Sequence, residues 1–189
     1  MNFVEYSPLA LRTAKPLEHD AQVDHALLGL ITEVGELGDN IKKHIIYGKP
    51  RNNVNVMEEC ADIFWYANLY MNEMRLHPGM VDDLWARFGS DAAEKAAQFD
   101  PMLGIKCLAG LTGALTQPAN DRGVSDRECV EQLVMMTHGF VIWSGHTLSQ
   151  ALLRNIAKLA KRYGDKFSEE RALNRDLAAE LKILEGNAS

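Results

Sequence analysis

Apolar side chains recur along the chain at intervals of three and four residues, which is the spacing of one face of an α-helix. Between residues 24 and 45 they predict one buried stripe, formed by Leu27, Leu30, Ile31, Val34, Leu37 and Ile41. After a loop rich in Gly, Pro and Asn, a second helix is predicted over residues 55–74. Its inward side chains are expected to be Val56, Cys60, Ile63, Ala67 and Tyr70.

The pattern is less regular in the middle of the chain. A short helix is predicted over residues 81–88, and another is expected to start near Asp91. A long apolar segment over residues 101–115 predicts a further helix, which ends at the polar sequence around Pro118.

Helix start signals divide the last third of the chain. Ser125, followed three residues later by Glu128, is typical of a capping box and predicts a helix that extends to Trp143. A further helix is predicted over residues 147–163, and a charged tail helix over residues 168–185. Because no segment alternates as a strand does, the sequence predicts an all-α fold around a four-helix core.

Four acidic residues lie beside the first two apolar stripes in two matched pairs: Glu33 with Glu36, and Glu59 with Asp62. The spacing of each pair places both carboxylates on one helix face, so packing of the two stripes brings all four together. Four acids in a partly buried groove repel one another, and a hard divalent cation removes that repulsion. Oxygen ligands alone favour Mg²⁺, or Mn²⁺, over zinc.

Gly35 lies between the first two acids and supports the metal interpretation. Glycine costs roughly 1 kcal/mol in a helix interior, so its presence indicates close packing or the approach of a ligand. The alternative is that the acids are solvated on the polar face of an amphipathic helix. A di-iron centre is not expected, because no Glu or Asp is followed three residues later by His.

A degenerate internal repeat is a further hypothesis. The segment 28–30, Leu-Gly-Leu, resembles the segment 103–105, Leu-Gly-Ile, 75 residues later. On that alignment the second helix pair has Leu108, Leu111 and Met135 where the first has acids. Each chain would then carry one acidic quartet. Chance similarity between two apolar helix pairs is the alternative.

The composition is that of an ordinary globular protein, with 47% hydrophobic and 24% charged residues. A net charge of −6 without a run of Lys or Arg argues against a nucleic acid polymer as partner, but not against a small phosphorylated substrate. Cys60, Cys107 and Cys129 form no CxxC motif, which favours reduced thiols and a cytoplasmic location. Neither a membrane-spanning run of about 18 apolar residues nor a signal peptide is recognised.

Several segments carry a family resemblance. A Glu-x-x-Glu pair is followed after 22 residues by Glu-x-x-Asp. The other segments that carry the resemblance are 3–14, 28–37, 41–49, 58–66 and 155–168. Together they resemble the MazG-like all-α nucleoside triphosphate pyrophosphohydrolases, in a form often found in phage-encoded members. The resemblance covers residues 1–74 and 147–180.

The resemblance implies a four-helix bundle that hydrolyses a nucleotide between its α- and β-phosphates and releases a monophosphate and pyrophosphate, as in nucleotide-pool house-cleaning. It implies Mg²⁺ at the four acids, and it suggests Glu36 as the carboxylate that accepts the proton of the attacking water. A phage-encoded member would act in the host cytoplasm.

Residues 75–146 depart from the compact members of this family, which pass almost directly from the second helix to the closing helix. A metal-free helix pair there resembles the dimeric dUTPase branch. The single domain, residues 1–189, would then comprise a metal-binding pair (1–74), an added pair (75–146) and a closing helix with a tail (147–189). Such a self-contained bundle favours a homodimer, whereas the compact arrangement favours a tetramer. A dUTPase-type enzyme and a non-catalytic nucleotide sensor are the alternatives; the complete acidic set argues against the sensor.

Basic residues near the acids are candidates for phosphate binding. Lys43 follows Glu36 by seven residues and shares its helix face; its alternative role is that of a solvated residue at the helix end. Lys158 and Arg162 form one basic stripe with Asn155 one turn earlier, and the resemblance favours phosphate binding over a merely solvated face.

Two aromatic side chains are the remaining candidates for substrate binding. Tyr66 lies one turn after Asp62 and is expected to contact a phosphate or the sugar, unless it is a core residue. His25 precedes Glu33 by two turns and is expected to contact the base.

Overall fold

The computed structural model describes residues 1–88, 98–118 and 120–186, without the side chain of Phe88. All regular structure within these ranges is helical, so the prediction of an all-α fold is confirmed. The helices described are α1 (Phe3–Leu11), α2 (His19–Ile45), α3 (Asn53–Glu73), α4 (Gly79–Phe88), α5 (Pro101–Leu115), α6 (Asp126–Trp143), α7 (Leu148–Tyr163), α8 (Glu169–Leu173) and α9 (Leu177–Glu185).

Four helices form the core. Helix α2 packs along α3 and also against α5, while α6 packs against both α5 and α3. Helix α3 is central, since it also contacts α1, α7 and α9. In the described parts of the chain, every helix is too short or too polar to cross a membrane.

The apolar stripes of α2 and α3 differ in how well the sequence predicts them. All five side chains predicted to point inward from α3 are buried. Helix α2 begins at His19, five residues before the predicted start, and one of its predicted inward residues is wrong. Ile31 is 47% exposed, because it lies at the outer edge of a stripe centred on Leu30 and Val34.

Helix α1 is absent from the predicted elements. A capping box between Asn2 and Glu5 starts it, and Asp82 of α4 accepts hydrogen bonds from the backbone N–H groups of Phe3 and Val4 at 2.7 and 2.9 Å. The helix therefore begins where local capping and a distant carboxylate satisfy its first free N–H groups. It brings fully buried side chains against α3 and α7.

Several predicted boundaries in the second half are confirmed. Helix α5 covers residues 101–115, and Ser125 and Glu128 form the predicted capping box of α6. Thr147 is the N-cap of α7. The helix expected near Asp91 lies outside the described residues.

The charged tail is two helices rather than one. Helix α8 ends at Leu173, and Asp176 caps α9 by accepting the backbone N–H of Ala179. The predicted continuous helix is therefore wrong between these two elements, because Asp176 offers the backbone a second helix start.

Candidate metal centre

Three of the four predicted carboxylates converge. Glu33 of α2 and Glu59 and Asp62 of α3 each place an oxygen atom within 4.8 Å of the other two, which is the one such group among the described residues. Glu36 is more exposed and lies outside this trio, but it borders the same cavity. Packing of α2 on α3 thus brings Glu33 close to the second acidic pair, whereas Glu36 only borders the cavity.

A cavity of about 380 Å³ opens beside the carboxylates. One wall is acidic and also includes Glu58. Three cationic side chains, Lys15, Arg162 and Arg175, also line the cavity. The remaining lining residues are Thr13, His25, Asn55, Trp65, Tyr66, Leu159, Tyr163 and Phe167.

The carboxyl groups of Glu33 and Glu59 are strongly perturbed. Burial, and then the charges of Asp62 and Glu36, raise the pKa of Glu33 to about 7. Burial, Asp62 and the neighbouring Glu58 raise the pKa of Glu59 to about 9. Glu59 also accepts a hydrogen bond from Asn55 at 2.6 Å.

These shifts mean that the cluster retains protons near neutral pH when no cation offsets its charge. The donor set fits a hard divalent cation such as Mg²⁺ or Mn²⁺, since all the converging ligand atoms are carboxylate oxygens. A cation there would replace the protons as the source of positive charge.

Asp62 is held by two residues of α7. The amide nitrogen Nδ2 of Asn155 donates to Asp62 Oδ1 at 2.7 Å, and Lys158 Nζ donates to Asp62 Oδ2 at 2.5 Å. Lys158 also pairs with Glu58 at 3.3 Å. Burial alone would lower the pKa of Lys158, but the charges of Asp62 and Glu58 raise it, so the lysine remains charged.

Asn155 and Lys158, which were predicted to bind substrate, contact Asp62 in this arrangement. Both side chains are buried, at 0% and 1% exposed, and neither lines the cavity. They face α3 because the stripe of α7 that carries them packs inward rather than toward solvent. Both residues donate hydrogen bonds to Asp62, and Lys158 also offsets its charge.

Lys43, also predicted to bind phosphate, lies on the exposed surface of α2. Its ammonium group pairs with Asp39, one turn earlier on α2, at 2.6 Å, and its side chain is half exposed. It does not line the cavity. Seven residues are close to two helical turns, but Asp39 offers Lys43 a nearer carboxylate on the same surface.

Tyr66 and His25 line the cavity, as predicted. The His25 ring packs edge-on against Tyr66 at 5.6 Å and against Trp65 at 6.0 Å. Burial, together with the charge of Lys15, lowers the pKa of His25, so its imidazole is neutral near pH 7. Burial, then Glu33 and Asp62, raise the pKa of Tyr66 to about 12, which keeps its hydroxyl a hydrogen-bond donor.

The glycine that matters to this packing is Gly29 rather than Gly35. A Cβ atom on Gly29 would lie 2.1 Å from the Tyr66 ring, so the absence of a side chain makes room for that ring. At Gly35 a Cβ would meet nothing within 4 Å, so of the two explanations for this glycine, close packing is wrong. The close approach to α2 is at Gly29, about 1.7 helical turns earlier.

Arg162 lines the cavity as predicted but is already paired. Its Nε and Nη2 donate to the two carboxylate oxygens of Glu180 at 3.0 and 2.6 Å, and Arg175 donates to the same group at 2.8 Å. Burial alone would raise the pKa of Glu180, but these hydrogen bonds lower it to about 2. The closing helix α7 and the tail helix α9 are joined by this buried ion pair.

Sequence reasoning missed several cavity residues. Glu58 adjoins Glu59, so its proximity to the site was available from the sequence. Lys15 and Arg175 lie in connecting segments without periodicity, and only the folded arrangement brings them to the cavity. Trp65 is buried, at 9% exposed, and also borders the cavity.

Comparison of the chain with protein-family models, with curated proteins and with solved structures found no match.

Proposed function

We propose that this chain is a divalent-metal-dependent nucleoside triphosphate pyrophosphohydrolase that cleaves its substrate between the α- and β-phosphates. The observation that carries the proposal is a single cavity that combines a converging carboxylate trio with cationic side chains. The signature that resembles the MazG-like superfamily supplies the same carboxylates. Phosphoryl transfer depends on such positioning and charge stabilisation more than on covalent chemistry.

The carboxylates have distinct tasks in this proposal. Glu33, Glu59 and Asp62 would hold Mg²⁺, or Mn²⁺, and such an ion would supply charge stabilisation for the phosphates and a lowered pKa for a water. Glu36 borders the cavity outside the close trio, so its carboxylate is free to accept the proton of the attacking water.

In this proposal the cationic side chains bind the phosphates, and the aromatic side chains contact the nucleoside. Lys15 and Arg175 are partly exposed at the cavity, with side chains 43% and 40% exposed. Lys15 pairs with Glu169, and Arg175 pairs with Glu180. In this proposal both exchange these carboxylates for phosphate oxygens, without the desolvation cost of a buried charge. Tyr66 and His25 lie in the same cavity, whose volume of about 380 Å³ is within the usual range of small-molecule sites.

A dUTPase-type enzyme is the second candidate. The observation that favours it is the core formed within one chain, in which α5 and α6 pack against α2 and α3. Such a bundle does not need a second subunit to complete it, which favours a homodimer over a tetramer. The two candidates share products and differ only in base selectivity.

The test is product analysis on a panel of canonical and modified nucleoside triphosphates, with Mg²⁺ or with EDTA. We expect a monophosphate and pyrophosphate, released only when metal is present, and a preference for dUTP if the second candidate is correct. A nucleoside diphosphate with free phosphate would contradict cleavage at the α–β position. Nucleotide binding without turnover across the panel would favour a non-catalytic sensor.

A further inference from the structure

Tyr6, on the N-terminal helix α1, connects to the carboxylate trio through one intermediary. Its hydroxyl donates to Asn155 Oδ1 at 2.8 Å, and the amide nitrogen of Asn155 donates to Asp62 Oδ1 at 2.7 Å. Tyr6 and Asn155 are both 0% exposed. Three helices that are distant in sequence, α1, α7 and α3, therefore meet in one buried chain of hydrogen bonds.

We propose that Tyr6 is a positioning residue that fixes the orientation of Asp62 for a divalent cation, acting through Asn155. The proposal rests on the metal-binding role of Asp62 proposed above. It gives α1 a part in the site, although Tyr6 itself does not line the cavity.

The direction of the hydrogen bonds carries the argument. An amide that accepts from a hydroxyl at its oxygen must turn its NH₂ group to the other side, where Asp62 lies. With the opposite orientation, the amide oxygen of Asn155 would face the Asp62 carboxylate, and the two would repel. Tyr6 supports the productive orientation because burial, and then the charge of Asp62, raise the pKa of its hydroxyl well above the ordinary value, which keeps it a donor.

The same contacts leave Asp62 able to bind a cation. Lys158 donates to its other oxygen, so each oxygen accepts one hydrogen bond. Each carboxylate oxygen has two lone pairs, and one remains on each oxygen. A carboxylate held in this way loses little rotamer freedom when it binds a metal, and partners of this kind usually contribute strongly to metal affinity.

A purely structural role for the hydroxyl is the competing explanation, and Tyr70 provides a matched control. Tyr70 is also buried, but its hydroxyl donates to a carboxylate, that of Asp126, where that of Tyr6 donates to an amide oxygen. That carboxylate belongs to α6, outside the cavity. Tyr6→Phe and Tyr70→Phe therefore each remove one hydrogen bond of a buried tyrosine side chain, and only that of Tyr6 leads to the metal centre.

The experiment is a Mn²⁺ titration of the full chain, in which free Mn²⁺ is followed by electron paramagnetic resonance. We expect Tyr6→Phe to weaken Mn²⁺ binding by roughly 10-fold, the loss typical for a partner of a metal ligand. Tyr70→Phe should bind Mn²⁺ as the wild type does. Equal weakening in both variants, or wild-type affinity in Tyr6→Phe, would overturn the positioning role.

The variant Asn155→Leu tests whether Tyr6 acts on Asp62 through Asn155 or only by stabilising the fold. If Tyr6 acts through Asn155, Tyr6→Phe should add no further loss of Mn²⁺ affinity to the Asn155→Leu variant. Additive losses would mean that Tyr6 acts by another path, and this contradicts the proposal. If Tyr6→Phe does not fold, as judged by circular dichroism, Asn155→Leu alone decides, and wild-type affinity in it is the contrary result.

The wild-type titration distinguishes this inference from the proposed function. No Mn²⁺ binding by the wild type would remove the metal centre and the positioning role together. Binding by the wild type that Tyr6→Phe leaves unchanged would remove only the positioning role.

Discussion

The helix pair α2–α3 and the helix pair α5–α6 share a packing device. In the first pair, Gly29 leaves room for the ring of Tyr66. In the second pair, a Cβ on Gly104 would lie 2.8 Å from Phe99 and 3.0 Å from Phe140. Each pair thus places a glycine of its first helix beneath an aromatic ring.

The two pairs differ in what they surround. The first borders the acidic cavity, whereas the second borders an apolar groove of about 800 Å³. That groove is lined by Leu111 and Met135, which the hypothetical repeat aligns with Glu36 and Asp62, whereas Leu108, aligned with Glu33, is buried in the core. The comparison teaches that two helix pairs can share a packing device and still carry different residues at the cavities that they border.

Loss of a carboxylate from the first pair should have the largest effect. We expect Asp62→Asn to lower kcat/KM by at least about 100-fold, because charge stabilisation by a metal contributes several kcal/mol. The control is Met135→Asn, which places the same side chain at the aligned position of the second pair. Steady-state kinetics of pyrophosphate release measure both. Comparable losses in the two variants would break the distinction between the pairs.

The shared packing device should be visible in stability. Gly29→Ala and Gly104→Ala should each destabilise the protein by about 1–3 kcal/mol, since the new methyl group overlaps an aromatic ring. Gly35→Ala is the control, and it should stabilise by up to about 1 kcal/mol, because its Cβ meets open space. Urea unfolding measures all three. A stable Gly29→Ala variant would mean that Tyr66 does not need this gap.

The acids should make the metal-free protein sensitive to pH. The pKa values of Glu33 and Glu59 are raised on folding, to about 7 and about 9, so the folded state binds more protons than the unfolded state above the ordinary glutamate value of 4.5. The contribution of these two groups to stability is therefore greatest below about pH 4.5 and falls as pH rises toward 9. In EDTA we expect the Tm to fall by a few degrees over this range. For a chain of this size, a loss of about 1 kcal/mol lowers the Tm by roughly 2–4 °C.

Glu59→Gln and Mg²⁺ provide the controls for this pH effect. The variant should match the wild type near pH 5 and exceed its Tm near pH 9, because the neutral amide avoids the unfavourable charge. Mg²⁺ should stabilise the wild type most at high pH, where the carboxylates are ionised. A wild-type Tm in EDTA that equals or exceeds that of the variant near pH 9 would contradict the shifted pKa values.

The smallest effect should come from Lys43. We expect Lys43→Ala to leave kcat/KM unchanged, because this lysine pairs with Asp39 outside the cavity. The matched variant is Lys15→Ala, which removes a cavity cation and should raise KM for the triphosphate. Kinetics with both variants compare the two lysines, and a loss in Lys43→Ala alone would restore its predicted phosphate-binding role.

Local periodicity determined much of the fold and half of the site. The inward residues of α3 follow from steps of three and four residues, and the capping box at Ser125 fixes the start of α6. The convergence of Glu33 with Asp62 follows in the same way, because the spacing of each pair sets its helix face and the stripes beside them must pack.

Only the tertiary structure decided which face of α7 turns inward. In the sequence, Asn155 and Lys158 are compatible with a solvated face and with a buried one. The partly buried carboxylate of Asp62 makes the inward choice favourable. Lys15 and Arg175 reach the cavity from connecting segments, where no period predicts direction. Sequence spacing fixes neighbours within one helix, whereas contacts between distant segments depend on how the helices dock.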